Sequence, residues 1–288
     1  MVPSVILVDK PKGLTSFSVV EGIKKKFKVK VGHTGTLDPL ATGLLILLIN
    51  EATRYAEFFL KLPKEYITTV KFGEVTDTYD AEGKVVEKRE IKVSCQDVKK
   101  VLQSFLGRIL QLPPPHSAKR IEGKRAYKLA RKGLHVSLKP VEVSVYKAEL
   151  VDCEMPYAKF VFCVSAGTYI RSLVHDIGLA LGCGAYVEEL RRTKIGQFDV
   201  QRAITYERLM CLDDLYGVSV PVWEALDFIP AIDLDAKSAK TIKNGLFLYL
   251  PSCLEEETFV RLYEGKEFIG IGVIKGNRLK AYRLLPQT

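Results

Sequence analysis

The most informative segment of this chain is Gly32-His33-Thr34-Gly35-Thr36-Leu37-Asp38-Pro39-Leu40-Ala41-Thr42-Gly43-Leu44-Leu45. Its three glycines, its proline and its hydroxylated residues predict an irregular loop between a helix and a buried strand. Asp38 would then be held on a rigid support near the end of a sheet, where ligands tend to bind. On spacing alone the alternative stays open: Asp38 would merely hydrogen-bond its own backbone in a tight turn before Pro39.

The sequence on either side of this loop predicts strands and helices in an irregular order. Residues that alternate between apolar and polar predict strands, and apolar residues at a period of 3.6 predict helices. Predicted strands cover residues 5–8, 44–49, 66–72, 141–151 and 159–164, and predicted helices begin at Thr15 or Ser16, at Ser94 (ending at Gly107) and at about Tyr169. Because no regular βαβ repeat emerges, we expect a mixed α+β sheet. Residues 221–230 are predicted to be a linker to a compact β-rich segment.

A second cluster, Gly167-Thr168-Tyr169-Ile170-Arg171-Ser172-Leu173, lies at a predicted junction of a strand and a helix. Arg171 falls in the first helical turn, where the helix dipole disfavours a cation. A carboxylate facing this arginine would explain the placement, because the pair would stay ionised and fix each other's geometry. The alternative is a solvated arginine at the end of a surface helix.

Tyr66 begins the alternating strand 66–72. A tyrosine ring can stack on a nucleobase that has been extracted from its helix, and the hydroxyl group can transfer a proton. The alternative is a core tyrosine whose hydroxyl group has a hydrogen-bond partner.

The segment 116–140 is strongly basic, with a single acidic residue, Glu122. Its aromatic or imidazole side chains are Tyr127, His116 and His135, and its Lys and Arg residues are Lys119, Arg120, Lys124, Arg125, Lys128, Arg131, Lys132 and Lys139. Cations alternating with flat rings are typical of surfaces that bind an RNA backbone and unstacked bases. A solvated helix face usually carries more acidic residues, so we favour RNA binding here. Residues 191–194 predict a second basic cluster.

Composition and charge limit the classes of protein to which this chain could belong. The 43 Lys and Arg outnumber the 34 Asp and Glu, for a net charge of +9 and a pI of about 9.1, which suits a polyanionic partner. The longest aliphatic run, 44–49, is too short to cross a bilayer, so we expect a soluble cytoplasmic protein. No zinc spacing, P-loop or dinucleotide fingerprint is present, and we expect no metal and no cofactor.

The six cysteines are scattered along the chain without a C-x-x-C pair. This pattern predicts small buried residues in a reducing compartment, rather than a zinc site or a disulfide framework.

Taken together, these segments resemble the bacterial TruB family, the tRNA pseudouridine synthases that act on uridine 55 in the T-loop. The resemblance runs through nearly the whole chain. The motifs that carry it are Asp9-Lys10-Pro11-x-Gly13-x-Thr15-Ser16, Gly32-His33-Thr34-Gly35-Thr36-Leu37-Asp38-Pro39-x-Ala41-x-Gly43, Lys64-x-Tyr66, Thr76-Asp77-Thr78-x-Asp80-x-x-Gly83, Gln111-x-Pro113-x-x-x-Ser117-Ala118-Lys119, Gly167-Thr168-Tyr169-Ile170-Arg171-Ser172-Leu173 and Leu190-Arg191-Arg192. The second of these is long and highly specific.

The resemblance implies a two-part architecture and a partner. Residues 1–226 would form the pseudouridine synthase catalytic domain, with an RNA-binding thumb at about 114–142. Residues 227–288 would form a small β-rich, PUA-like domain. The substrate would be the T-stem-loop of tRNA. Because no amphipathic patch in the sequence demands a protein partner, we expect a monomer, and we expect no cofactor.

The resemblance also implies roles for individual residues. Asp38 would be the catalytic carboxylate, paired with Arg171, and Tyr66 would stack on the flipped base and assist proton transfer. The implied substrate-binding residues are His33, Lys10, Tyr169, Leu190, Lys119, Arg125 and Tyr127.

Two rival functions stay open at this point. A non-catalytic RNA-binding or RNA-folding protein could use the same basic segment, but it would not need the carboxylate of Asp38. An RNA N-glycosylase would also flip a base and use a carboxylate, but it would release free uracil instead of keeping the base attached.

Overall fold

The computed structural model describes residues 2–114, 120–121, 124–125 and 139–286. The strands are β1 (Ser4–Lys10), β2 (Val31–His33), β3 (Thr42–Ile49), β4 (Lys64–Phe72), β5 (Glu74–Thr76), β6 (Val85–Lys88), β7 (Gly107–Gln111), β8 (Arg120–Ile121), β9 (Lys124–Arg125), β10 (Val141–Glu154), β11 (Tyr157–Val164), β12 (Ala185–Ile195), β13 (Phe198–Asp199), β14 (Ile204–Thr205), β15 (Val220–Pro221), β16 (Ala231–Asp233), β17 (Phe247–Glu264) and β18 (Glu267–Leu284). The α-helices are α1 (Ser16–Phe27), α2 (Ala56–Leu60), α3 (Cys95–Gln103), α4 (Ile170–Ala180), α5 (Tyr206–Leu209), α6 (Val222–Ala225) and α7 (Ala236–Lys243).

A mixed sheet forms the centre of the molecule. Within the described ranges it follows the order β14-β1-β3-β12-β4-β11-β10-β7, and β2, β13 and β15 pair at its margins. Neighbouring strands are mostly antiparallel, but β3 and β12 run parallel and pair only through residues 42–43 and 191–192. The strand that follows the Asp38 loop therefore begins beside the C-terminal half of β12.

Strand β3 is buried on both faces, as the aliphatic run 44–49 predicts. Because successive side chains point to opposite faces of a strand, Leu44, Ile46 and Leu48 join one apolar cluster. Leu45 and Leu47 pack into another, against α1 on the other face. This double burial gives the loop before β3 a rigid anchor.

Local sequence signals set the limits of several helices and strands. Thr15 caps α1 by accepting from the Ser18 backbone N–H, and Ser94 forms the predicted capping box of α3 with Asp97. Strand β4 alternates between buried and half-buried residues, as its sequence predicts. Helix α3, however, ends at Gln103 and not at Gly107, because the chain turns there to begin β7.

The cysteine prediction is wrong for one pair. Cys95 and Cys153 form a disulfide between the start of α3 and the end of β10. Of the other four, only Cys183 is buried, whereas Cys211 and Cys253 are exposed. The pairing escapes sequence reasoning because the two cysteines are 58 residues apart and only the packing of α3 on β10 brings them together.

The predicted linker 221–230 is also wrong, because this segment is packed rather than extended. It contains α6, and Val222, Ala225 and Leu226 are buried in the same apolar cluster as Phe58 and Phe268. The C-terminal β-rich domain follows, with β16, β17 and β18 in one sheet. Along the described part of the chain, no helix has the length and apolarity needed to cross a membrane.

Candidate active site

A cavity of about 280 Å³ opens between the loop before β3 and the N-terminus of α4. Its walls come from four parts of the chain. Residues 35–38 form one side and residues 167–171 form the opposite side, while β4 and β12 contribute Tyr66 and Leu190. These parts are far apart in sequence, so the central sheet assembles the cavity.

Asp38 and Arg171 form an ion pair in this cavity. Arg171 Nε lies 2.9 Å from Asp38 Oδ2, and the arginine side chain is only 5% exposed whereas that of the aspartate is 37% exposed. The position of Arg171 in the first turn of α4 predicts a carboxylate opposite it, and Asp38 supplies that carboxylate. A buried guanidinium fixes the orientation of a carboxylate that remains open to the cavity.

Asp80 is a second carboxylate on the same arginine. Its Oδ2 lies 3.2 Å from Arg171 Nη1, and its side chain is 5% exposed. Nη1 also donates to the Thr78 carbonyl oxygen at 2.9 Å. The other oxygen of Asp80 accepts from the Thr78 hydroxyl group at 2.6 Å and from the Glu82 backbone N–H at 3.1 Å. Arg171 is thus held between two carboxylates, one buried and one partly exposed.

The loop that carries Asp38 is fastened to α1 and β1. The Ser16 hydroxyl oxygen accepts from the Leu37 backbone N–H at 2.8 Å. Lys10 is fully buried, and its Nζ donates to the carbonyl oxygens of Pro11, Leu14 and Pro39. Burial lowers the pKa of Lys10 to about 8, against the opposing effect of Asp38.

Arg192 supports the other side of the loop. It is 1% exposed, its Nε donates to the Leu44 carbonyl oxygen at 2.8 Å, and its Nη2 donates to the Gly35 carbonyl oxygen at 3.0 Å. Arg191 is paired with Asp9 at 2.6 Å. Of the predicted second basic cluster, only Arg192 is turned into the fold, whereas the side chains of Arg191 and Lys194 remain 41% and 47% exposed.

Gly43 permits the close approach of the loop to β12. A Cβ atom at this position would lie 2.2 Å from the Arg192 carbonyl oxygen, and the residue adopts a φ of +102°. Only glycine avoids both the steric overlap and the unfavourable backbone conformation.

Strand β4 brings a tyrosine and a lysine to the cavity. Tyr66 is 8% exposed and Lys64 is 6% exposed. Lys64 Nζ donates to the carbonyl oxygens of Leu60, the last residue of α2, and of Leu62. Burial, assisted by Arg192, lowers the pKa of Lys64 to about 8.

The N-terminal domain model of TruB family pseudouridylate synthases matches residues 23–170.

The chain belongs to the TruB family.

Two further TruB models match later parts of the chain. A tRNA pseudouridylate synthase B C-terminal domain matches residues 171–216, and a C-terminal domain of pseudouridine synthase II TruB matches residues 230–285. The tRNA pseudouridine synthase B of Aquifex aeolicus (strain VF5) is 49% identical over 283 residues, which are 97% of this chain and 98% of that protein. The protein of the same name from Clostridium tetani (strain Massachusetts / E88) is 39% identical over 98% of this chain and 99% of its own length.

Solved structures agree with the family assignment. A chain in the crystal structure of a Cbf5-Nop10-Gar1 complex superposes with a TM-score of 0.75 at 28% identity, over 98% of this chain and 84% of that one. A chain in an H/ACA RNP bound to a substrate RNA containing 2′-deoxyuridine superposes with a TM-score of 0.73 at 26% identity, over 98% of this chain and 85% of that one. The expected mixed α+β pseudouridine synthase fold with a C-terminal β-rich domain is confirmed.

Five of the residues predicted for the TruB site line the cavity together: Asp38, Tyr66, Tyr169, Arg171 and Leu190. Two others lie elsewhere. His33 ends β2 and is not among the lining residues, and Lys10 supports the loop from within the core instead of facing a substrate. Lys119, Tyr127 and the side chain of Arg125 lie outside the described residues.

Sequence reasoning missed Asp80 and Arg192 as parts of this TruB site. Asp80 occurs in the motif Thr76-Asp77-Thr78-x-Asp80 and Arg192 in the motif Leu190-Arg191-Arg192, but neither motif indicates a role for these two residues. Gln111 is a third missed residue, because its side-chain amide bonds both the N–H and the carbonyl oxygen of Tyr169. In the described ranges, no group of three or more His, Cys, Asp and Glu is arranged to hold a metal ion.

Proposed function

We propose that this chain converts uridine 55 in the T-loop of tRNA to pseudouridine, with Asp38 as the reactive carboxylate. The observation that carries the proposal is the ion pair of Asp38 with the buried Arg171 in the wall of a cavity. The guanidinium holds the carboxylate in one orientation, and the exposed part of Asp38 is accessible to a bound base. Membership in the TruB family, whose curated relatives carry the name tRNA pseudouridine synthase B, agrees with this activity.

The reaction is an isomerisation that one carboxylate can support. The bond between uracil N1 and ribose C1′ breaks, the base rotates, and a new bond joins uracil C5 to C1′. C5 loses its proton to solvent and N1 gains one, so that no atom is gained or lost overall. Asp38 serves either as a nucleophile on the sugar or the base, or as a base at the ribose.

The cavity suits a single flipped nucleoside. The ring of Tyr66 would stack on the base, and its hydroxyl group would assist proton transfer. Leu190 and Tyr169 would close the wall of the pocket around the base. Lys10, Arg192 and Gln111 would act at a distance, by holding the backbone of the residues that contact the substrate. A uridine already in a loop is the least costly to extract from its stack.

RNA binding would involve surfaces beyond the cavity. His33 would occupy the place of the extruded nucleotide and hold the distorted T-loop. We propose a thumb at about 114–142 and a division of the chain into a catalytic domain, 1–226, and a PUA-like domain, 227–288. The thumb residues proposed to bind RNA are Lys119, Arg125 and Tyr127.

We further propose that the chain acts as a monomer in the cytoplasm, on tRNA alone and without a bound cofactor. The net charge of +9 favours association with a polyanion at low salt. A sedimentation coefficient that does not change with protein concentration would support the monomer.

The test is release of tritium from T-loop transcripts labelled at C5 of uridine, with tRNA binding measured in parallel. Asp38→Ala should bind the transcript but release no label. Asp227→Asn is the matched control, because Asp227 is an exposed aspartate whose carboxylate accepts from Gln197 at 2.7 Å, away from the cavity. This control should release label at the rate of the unmodified protein.

Three outcomes contradict the proposal in different ways. Binding without release of label by the unmodified protein would favour an RNA-folding protein. Free uracil among the products would identify an N-glycosylase. Full activity of Asp38→Ala would leave the isomerase standing but remove Asp38 from its chemistry.

A further inference from the structure

A tyrosine and a histidine stack face to face behind the active site. The rings of Tyr79 and His175 lie with centroids 3.8 Å apart and planes only 11° from parallel. Both residues are half-buried, and neither lines the cavity. The stack is therefore a contact within the fold and does not face a bound base.

Tyr79 belongs to the turn that presents Asp80 to Arg171. Its φ is +64°, one of three positive values at non-glycine residues in the described chain. This left-handed conformation is unfavourable for a side chain as large as tyrosine and needs support from its surroundings. The residues on either side of Tyr79 both contact the same guanidinium, through the carbonyl oxygen of Thr78 and the carboxylate of Asp80.

Helix α4 contacts this turn at two points. Arg171 and His175 are four residues apart, so their side chains lie on the same face of the helix, one turn from each other. Arg171 contacts Thr78 and Asp80, and His175 contacts Tyr79 between them. Three consecutive residues of a strained turn are thus clamped by one face of α4.

We propose that Tyr79 and His175 are positioning residues for the pseudouridine synthase reaction, which hold Asp80 in place and through it the Arg171 that orients Asp38. This inference rests on the proposed function and adds two residues that do not touch the substrate. Rigid support of this kind matters because a reactive group displaced by a fraction of an ångström loses much of its effect.

The chemistry of the Tyr79 and His175 side chains is suited to a stacked contact. His175 Nδ1 is buried and makes no hydrogen bond within the described part of the chain, so this nitrogen does not fix the ring and the stacked contact with Tyr79 does. Burial lowers the pKa of His175, and Arg89 lowers it further against the opposing effect of Glu87. The neutral imidazole that results can lie flat on a phenol ring without desolvating a charge.

The experiment compares His175→Ala and Tyr79→Ala with their aromatic counterparts, His175→Phe and Tyr79→Phe. Both alanine variants should lower kcat by about 10- to 100-fold, with KM and tRNA affinity unchanged, and both aromatic variants should restore kcat. Tyr216→Ala is the control, because Tyr216 is 68% exposed and is not among the residues that line the cavity. It should leave kcat unchanged.

A second readout does not depend on catalysis. Hydrogen exchange at the Arg171 Nε–H, assigned by NMR as the resonance that is missing in Arg171→Lys, reports whether the guanidinium is still held. The Nε–H exchange should be faster in the two alanine variants than in the unmodified protein. In the two phenylalanine variants it should be as slow as in the unmodified protein. If the unmodified protein made no pseudouridine, faster exchange would still support the clamp while the proposed function failed.

The proposal is overturned if the alanine variants keep both kcat and slow Nε–H exchange. It is also overturned if the phenylalanine variants regain thermal stability without regaining kcat, because a stacked ring would then not be what the site requires.

Discussion

Buried cations surround Asp38, yet most of them bind the protein's own backbone. Lys10 donates to three carbonyl oxygens, those of Pro11, Leu14 and Pro39, and Lys64 donates to two at and just beyond the end of α2. Arg192 donates to Leu44 and Gly35. Because each charge is directed at carbonyl dipoles, Lys10 and Arg192 fix the Asp38 loop and Lys64 fixes the turn between α2 and β4, whereas Arg171 contacts the reactive carboxylate itself.

Gly43→Ala tests the close contact of the loop with β12. We expect a loss of about 3 kcal/mol or more in the free energy of unfolding, because the new methyl group combines a strained φ with overpacking against the Arg192 backbone. Chemical denaturation measures this loss. Gly182→Ala is the control, since Gly182 also has a positive φ but no atom within 4 Å of an added Cβ. Equal losses in the two variants would show that φ alone matters.

Asp176 should make stability depend on pH. Burial raises its pKa to about 6 from 3.8, so the folded state holds a proton that the unfolded state has already released. The stabilisation is complete below about pH 4 and is lost as the pH rises through 6.

Asp176→Asn should remove this dependence. At pH 8, where the buried carboxylate is charged, the free energy of unfolding of the variant should be about 1–2 kcal/mol higher than that of the unmodified protein. At pH 4 the two free energies of unfolding should be equal. Thermal unfolding at the two pH values measures the difference. The same change at the exposed Asp213 should have no effect, and a gain at pH 4 as large as at pH 8 would contradict the explanation.

Among the helices and strands, α3 is stabilised by contacts with residues that are distant from it in sequence. Its capping box fixes where it begins, and Val98 and Leu102 bury one face against the sheet. The disulfide from Cys95 to Cys153 joins its first residue to β10. A short helix gains most of its stability from such tertiary contacts and less from its own sequence.

Cys95→Ser should lower the free energy of unfolding by about 2–4 kcal/mol, because it releases a long loop in the unfolded chain. Denaturant unfolding under oxidising conditions measures the loss, which an added reductant should reproduce in the unmodified protein. Alkylation of the denatured, unreduced protein should label four of the six cysteines. Cys211→Ser, at an exposed free cysteine, should be neutral, and six labelled thiols would refute the disulfide.

Across the whole molecule, aromatic contacts join the segment 55–58, which follows β3 of the central sheet, to the C-terminal β-rich domain. Phe58 meets Phe259 edge-on with centroids 5.2 Å apart, and Tyr55 packs against Phe268 at 5.9 Å. The Tyr282 hydroxyl group donates to Glu57 at 2.8 Å. Contacts that are apolar and buried on both sides favour a fixed arrangement of two domains over relative motion.

We therefore expect the chain to unfold in a single calorimetric transition. Phe268→Ala should lower the stability of the whole chain by about 3–5 kcal/mol, the usual cost of truncating a buried phenylalanine. Tyr249→Ala, in the same domain but exposed, should leave the transition unchanged. Two separate transitions in the unmodified protein would mean that the domains unfold independently.

Sequence alone predicted the features whose causes are local. The caps of α1 and α3 depend on residues three positions apart, and the alternation of β4 depends on the pleat of a single strand. The loop around Asp38 followed from its glycines and proline together with the aliphatic run of β3. The place of Arg171 in the first turn of a helix predicted a carboxylate partner. The local sequence did not indicate which carboxylates would pair with it.

Only the tertiary structure decided the rest. It brought Asp80 to Arg171 and turned Arg192 into the core, where it bonds a carbonyl oxygen 148 residues away in sequence. It also paired Cys95 with Cys153 and buried the segment 221–230 that the sequence predicts as a linker. Each of these outcomes depends on which strands and helices pack side by side, and residue spacing carries no information about partners that the chain reaches only by folding.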